Sequence, residues 1–243
     1  MRKARSDNSA SVSPEAKSRM NAPSEQVLLV HGLARSPRSL LAMELALRAA
    51  GFSVVNMGYP STKAPPQELV EGLIAGLERA AEGGSAEGGA GRVTHIVTHS
   101  MGGILVRDWL SRRQPAGLGR VVMLAPPNHG SELVDAMGSW RAFQVMNGPA
   151  GMALGTGPES WPNRLPAANF PLGVIAGTTT VSPWFSYILP GANDGKVTVA
   201  STKVAGMADH ITLPVSHTWM VMNPQVVRQT VHFLRNGRFW RGK

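Results

Sequence analysis

The run Val93 to Arg107, Val-Thr-His-Ile-Val-Thr-His-Ser-Met-Gly-Gly-Ile-Leu-Val-Arg, constrains this chain more than any other segment. A β-branched stretch suited to a buried strand stops at Ser100, and helical spacing begins just after it. A strand that turns into a helix without a loop sends that helix back across its own sheet. That geometry belongs to layered α/β folds. The residue at such a corner has a strained backbone and an exposed side chain. Here it is a serine, so the corner presents a hydroxyl nucleophile. Gly102 has no β-carbon, which lets strand and helix approach closely. Taken alone, the segment also fits a Ser-Met-Gly-Gly connection without chemistry, so the rest of the chain must decide.

The rest of the chain alternates in the same way. Short apolar strands are expected at 27–30, 52–57, 120–124, 172–176 and 211–215, besides the strand before Ser100. Helical spacing covers 39–50 (ended by Gly51), 67–81, the stretch after Ser100, and 224–234 (stopped at Asn236-Gly237). Residues 82–91 read as a flexible glycine-rich loop and 125–169 as an irregular region. The expected fold is α/β, an open and mainly parallel sheet of about six strands with helices on both faces. A chain of 243 residues with 43% hydrophobic content fills one such domain. It is expected to span 25–243, after a disordered basic tail at 1–24 in which Met20 is an alternative start.

In a parallel sheet, ligands bind at the carboxyl ends of the strands, so each candidate can be sorted by its place along a strand. Ser100 needs a histidine base, and there are seven histidines. His95 lies within the strand, His99 points under the sheet, His210 precedes the last strand and His232 is in the terminal helix. His217 follows the last strand directly and is the expected base. His129, after the fourth strand, is the runner-up and is expected in the pocket wall. For the acid, Asp108 lies on the helix after Ser100, as a solvated or ion-paired residue. Asp209 lies before the last strand, at the wrong end of the sheet. Asp194, in Gly-Ala-Asn-Asp-Gly after the fifth strand, is the expected acid, although a plain Asn-Asp-Gly turn explains it too. Oxyanion donors are expected at the backbone N–H groups of Met101 and Leu33, the latter in a loop where Gly32 permits a tight turn.

In order, Val-His-Gly-Leu (30–33), Thr-His-Ser-Met-Gly-Gly (98–103), Leu-Ala-Pro-Pro-Asn-His-Gly-Ser (124–131), Asn-Asp-Gly (193–195) and Val-Ser-His-Thr (215–218) resemble the α/β-hydrolase superfamily, in its small serine esterase and lipase branch. The resemblance spans about residues 26–235. Thr98 departs from the usual Gly-x-Ser-x-Gly nucleophile elbow, standing where the first glycine is expected. The resemblance implies a Ser100–His217–Asp194 triad, an acyl-enzyme intermediate, no metal and no organic cofactor. The expected substrate is a small ester or lipid-like molecule with an apolar part. Thioesterase, amidase or acyltransferase chemistry on the same triad, or a silent hydrolase fold used as an interaction module, are the alternatives.

Pocket residues are expected among His129, Trp184 and Trp219. Around 135–170, apolar residues such as Trp140, Phe143, Met146, Met152 and Trp161 make a candidate lid. The net charge of +9 invites a nucleic-acid reading, but the two ends carry eight of those charges. Arg2, Lys3, Arg5, Lys17 and Arg19 face only Asp7 and Glu15, while Arg228, Arg235, Arg238, Arg241 and Lys243 face no acid. No basic patch is expected beside the chemistry, which argues against nucleic acid as a partner. No apolar run reaches ~20 residues and no secretion signal is evident, so a cytoplasmic protein without stable membrane insertion is expected. The absence of cysteine fits a reducing compartment.

Overall fold

The computed structural model describes residues 25–83, 93–181 and 183–242. The basic tail at 1–24 and most of the glycine-rich loop lie outside the described residues. The strands are β1 (Gln26–Val30), β2 (Ser53–Met57), β3 (Thr94–His99), β4 (Leu118–Leu124), β5 (Leu172–Gly177) and β6 (Asp209–Leu213). They form one parallel sheet in the order β2-β1-β3-β4-β5-β6. The chain thus winds outward from β1 in one direction, then reverses through β3. Val30 pairs with Thr98 and His99 with Leu124, so the loops leaving β1, β3 and β4 emerge side by side.

The inner strands β1, β3, β4 and β5 are largely buried on both faces because helices cover both. One core packs Leu28, Ile96, Val121 and Val174 against α2 (Pro66–Gly83) and α3 (Met101–Arg112). The other packs Val27, Leu29, Val97 and Ile175 against α1 (Leu41–Ala49) and the C-terminal helix. Gly51, at φ 92°, ends α1 where the spacing predicts. The C-terminal helix runs from Pro224 to Asn236, capped by the Asn223 side chain on the N–H groups of Gln225 and Val226. It closes on Gly237 in the left-handed conformation.

The structure corrects the sequence reading of 125–169 as irregular. That segment contains α4 (Glu132–Met137), α5 (Arg141–Met152) and a helical turn at Trp161–Arg164. Glycines and prolines at 138, 148, 149, 151 and 162 interrupt any long periodicity, so packing and not local propensity holds these pieces. Within α5, Gly148 has φ 64°, and a β-carbon there would meet the Thr62 carbonyl oxygen at 1.9 Å.

Residues 101–110 of α3 are all buried, polar ones included. Arg107 donates to the carbonyls of Asn128, Leu165 and Pro166, and burial lowers its pKa to about 10. Asp108, expected to be solvated or ion-paired, is buried: it pairs with Arg112 at 2.6 Å and accepts the Trp161 indole N–H at 2.7 Å. These two neighbours stitch the 125–169 segment onto the helix that follows Ser100.

Candidate active site

Ser100 has φ 54° and ψ −129°, a conformation that costs a non-glycine residue a few kcal/mol, ~1–3. The strain is held from several sides. The Ser100 N–H donates to the Leu124 carbonyl at 2.8 Å, and its own carbonyl accepts from Gly103 at 2.9 Å. A β-carbon on Gly102 would lie 2.5 Å from the His31 carbonyl oxygen and 2.6 Å from that of Val30. Only glycine fits there, since α3 must cross tightly over the end of β1. Thr98, in the departing position, is fully buried, and its hydroxyl has no hydrogen-bond partner among the described residues. A β-carbon on Gly103 would sit 3.2 Å from the Thr98 Oγ1. The second glycine of the pair therefore makes room for the threonine.

Beyond β6, His217 is buried, and its Nδ1–H donates to Asp194 Oδ2 at 2.8 Å. That bond fixes the tautomer and leaves Nε2 as the ring's proton acceptor. Asp194 is 1% exposed and held in turn: its Oδ1 accepts the N–H groups of Lys196 at 3.0 Å and Val197 at 2.9 Å. Its carbonyl accepts the His217 N–H at 3.0 Å. A β-carbon on Gly177 would lie 2.7 Å from the Asp194 β-carbon, so the acid sits against the carboxyl end of β5.

His99, at the end of β3, donates from Nε2 to the His217 carbonyl at 3.0 Å. Burial, and then the nearby His217, hold it well below the usual histidine range, so it stays neutral. Asp209 lies at the start of β6, paired with Arg241 and bonded to the Phe239 N–H, far from this loop cluster along the strand.

Ser100 and His217 line one cavity of about 180 Å³, mostly apolar, with Leu33, Leu133, Phe143 and Leu154 among its walls. The loop after β1 adjoins the serine closely: a β-carbon on Gly32 would be 2.9 Å from the Ser100 β-carbon. The Met101 N–H is the first of α3 and has no acceptor within its helix, and Leu33 lines the same cavity. His31 supports this loop from beneath, stacked on Tyr59 at 4.3 Å, while the Tyr59 hydroxyl donates to the His31 carbonyl at 2.6 Å.

The three expected pocket residues lie elsewhere. His129 is exposed and its Nδ1–H donates to Asn163 at 3.0 Å. Trp184, on α6 (Pro183–Ile188), and Trp219 are 80% and 56% exposed, and none of the three lines the cavity. Of the candidate lid residues, Phe143 and Met146 line it through α5, whereas Trp161 is buried against Asp108. The sequence reading also missed Arg35 and Lys196. Both line the cavity, which corrects the expectation that no basic patch sits beside the chemistry. Among the described residues, no three His, Asp or Glu side chains gather as a metal set, and no helix is long and apolar enough to cross a membrane.

No protein-family profile matches the chain, and no curated protein matches it by sequence. Solved structures do. The mature lipase BlEst2 of Bacillus licheniformis aligns at a TM-score of 0.66 and 20% identity, over 82% of this chain and 87% of that one. Phospholipase PlaB of Legionella pneumophila aligns at 0.66 and 17% identity, over 89% of this chain but 60% of its own. A metagenomic carboxyl esterase aligns at 0.56 and 19% identity, over 81% and 65%. The strand order, the serine corner after β3 and these neighbours together place the chain in the α/β-hydrolase fold that lipases, esterases and phospholipases share.

Proposed function

We propose that the protein is a serine hydrolase of carboxylic esters, with Ser100, His217 and Asp194 as its catalytic residues. The observation that carries this reading is the 2.8 Å bond from His217 Nδ1 to the buried Asp194 carboxylate, with His217 and the strained Ser100 facing one cavity. In the first step Ser100 Oγ attacks the ester carbonyl carbon and its proton passes to His217 Nε2. Asp194 stabilises the resulting imidazolium. The tetrahedral oxyanion accepts from the backbone N–H groups of Met101 and Leu33. Collapse breaks the ester C–O bond, the alcohol leaves with the proton from His217, and an acyl-serine remains. Water then attacks that acyl group, gives its proton to His217, and releases the acid as Ser100 recovers a proton.

The cavity is slightly larger than the ~150 Å³ that holds a benzene ring. An acyl chain of about six carbons fills such a space, and longer chains must run out over the exposed apolar side chains of α5, such as Met146 and Val145. The test is hydrolysis of p-nitrophenyl acetate, butyrate, hexanoate and longer esters by wild type and Ser100→Ala. Wild type should peak near butyrate to hexanoate, and Ser100→Ala should lose at least ~10⁴-fold in kcat. Equal turnover by both proteins would remove Ser100 from the mechanism.

A further inference from the structure

Arg35 and Lys196 come from loops 161 positions apart in the chain, yet both line the cavity that contains Ser100 and His217. Neither forms an ion pair among the described residues. Arg35 donates only to the Thr218 hydroxyl, at 3.3 Å, and no acidic side chain lines the cavity. Asp194 is near Lys196, but its two oxygens are taken by His217 and by backbone N–H groups. Glu132 accepts from Thr198 and lies outside the lining. The surrounding protein, and then the charge of Arg35, hold the Lys196 ammonium below the usual lysine range, so the two cations share one field. Two cations without an ion-pair partner among the described residues, with only the Asp194 charge to offset them, make the mouth of the apolar cavity net positive.

Their attachment decides which end of a substrate they meet. Arg35 is bonded to the residue after His217, and Lys196 follows two residues after the acid that holds His217. In an acyl transfer the leaving alcohol takes its proton from the histidine, so it departs on that side. The acyl chain then occupies the apolar walls opposite. We propose that the preferred substrates are esters whose alcohol carries an anionic group, a carboxylate or a phosphate, bound by Arg35 and Lys196. This specificity rests on the hydrolase reading given above and extends it. A solvent-facing ion pair contributes about threefold, and the factors multiply, so two such contacts predict a preference of about tenfold.

The experiment compares butyrate esters of four phenols: 4-hydroxybenzamide (neutral), 4-hydroxybenzoate (carboxylate), 4-hydroxyphenyl phosphate and 4-hydroxybenzyl-trimethylammonium. In wild type at low salt, kcat/KM for the anionic esters should exceed that of the neutral one by about tenfold. About 1 M salt should bring the ratio towards one, as the screening length falls to ~3 Å. The ratio should fall in Arg35→Gln with Lys196→Gln, and Arg35→Glu with Lys196→Glu should favour the cationic ester. A higher rate on the phosphate arm assigns the anion as phosphate, and a higher rate on the carboxylate arm assigns it as carboxylate. A wild-type ratio of one or below, or a ratio the paired substitutions leave unchanged, overturns the proposal. Ser100-dependent turnover of the neutral ester separates the two readings: it upholds the hydrolase even where the anion preference fails, and its absence tells against the hydrolase itself.

Discussion

Single positions separate chemistry from support. Asp194 and Asp209 are the two acids nearest His217 in sequence, and only Asp194 is bonded to it. Asp194→Asn should therefore reduce kcat by about 10⁴, because the amide cannot hold the productive tautomer. Asp209→Asn should leave the ester profile in place and lower thermal stability by about 1–2 kcal/mol, since it loosens Arg241 and the Phe239 N–H at the other end of β6. Paired kinetic and calorimetric measurements on the two variants check both outcomes, and the reverse assignment would show as a kinetic defect in Asp209→Asn. Gly102 is a support of another kind. A methyl group there overlaps two carbonyl oxygens of the β1 end, so Gly102→Ala should lower the melting temperature and the activity together.

The elements divide into those written in local pattern and those made by contact. The helices on either side of the sheet follow from periodicity, end signals and glycine stops. By contrast α4 and α5 are short, broken by glycine and proline, and exist because they pack on each other and, through α5, on the loops after β1 and β2. Asp108 and Trp161 provide one fastening, so Trp161→Phe should leave a buried carboxylate oxygen without its donor and cost about 1–3 kcal/mol. Urea unfolding would measure that loss. The bend at Gly148 is another, for φ 64° and the Thr62 carbonyl leave no space for a side chain. Gly148→Ala should shift α5 and with it Phe143 and Met146, raising KM for hexanoate esters more than it lowers kcat. A fall confined to kcat would show that α5 does not shape the acyl site.

For the whole molecule, buried histidines set the acid limit of stability. Burial lowers the pKa of His31, His95 and His99 below the ordinary 6.5. Between the lowered folded values and 6.5, the unfolded chain binds protons that the folded chain refuses. Stability is therefore complete well above pH 6.5 and declines as the pH falls through it, by up to about 1.4 kcal/mol per pH unit for each such proton. Thermal unfolding at pH 7.5, 6.5 and 5.5 should show a small drop over the upper step and a larger one over the lower. A melting temperature that rises on acidification would contradict this. The alternation of strands and helices, the serine corner and the sheet end reached by each loop were legible in the sequence, because periodicity and glycine placement act over a few residues. The tertiary structure alone decided the rest. It brought Arg35 beside Lys196, formed the cavity wall from α5, and left His129, Trp184 and Trp219 outside that wall. It also buried Asp108 and fitted Thr98 beneath Gly103. Each of these depends on which distant surfaces meet, and the packing of the whole chain determines that.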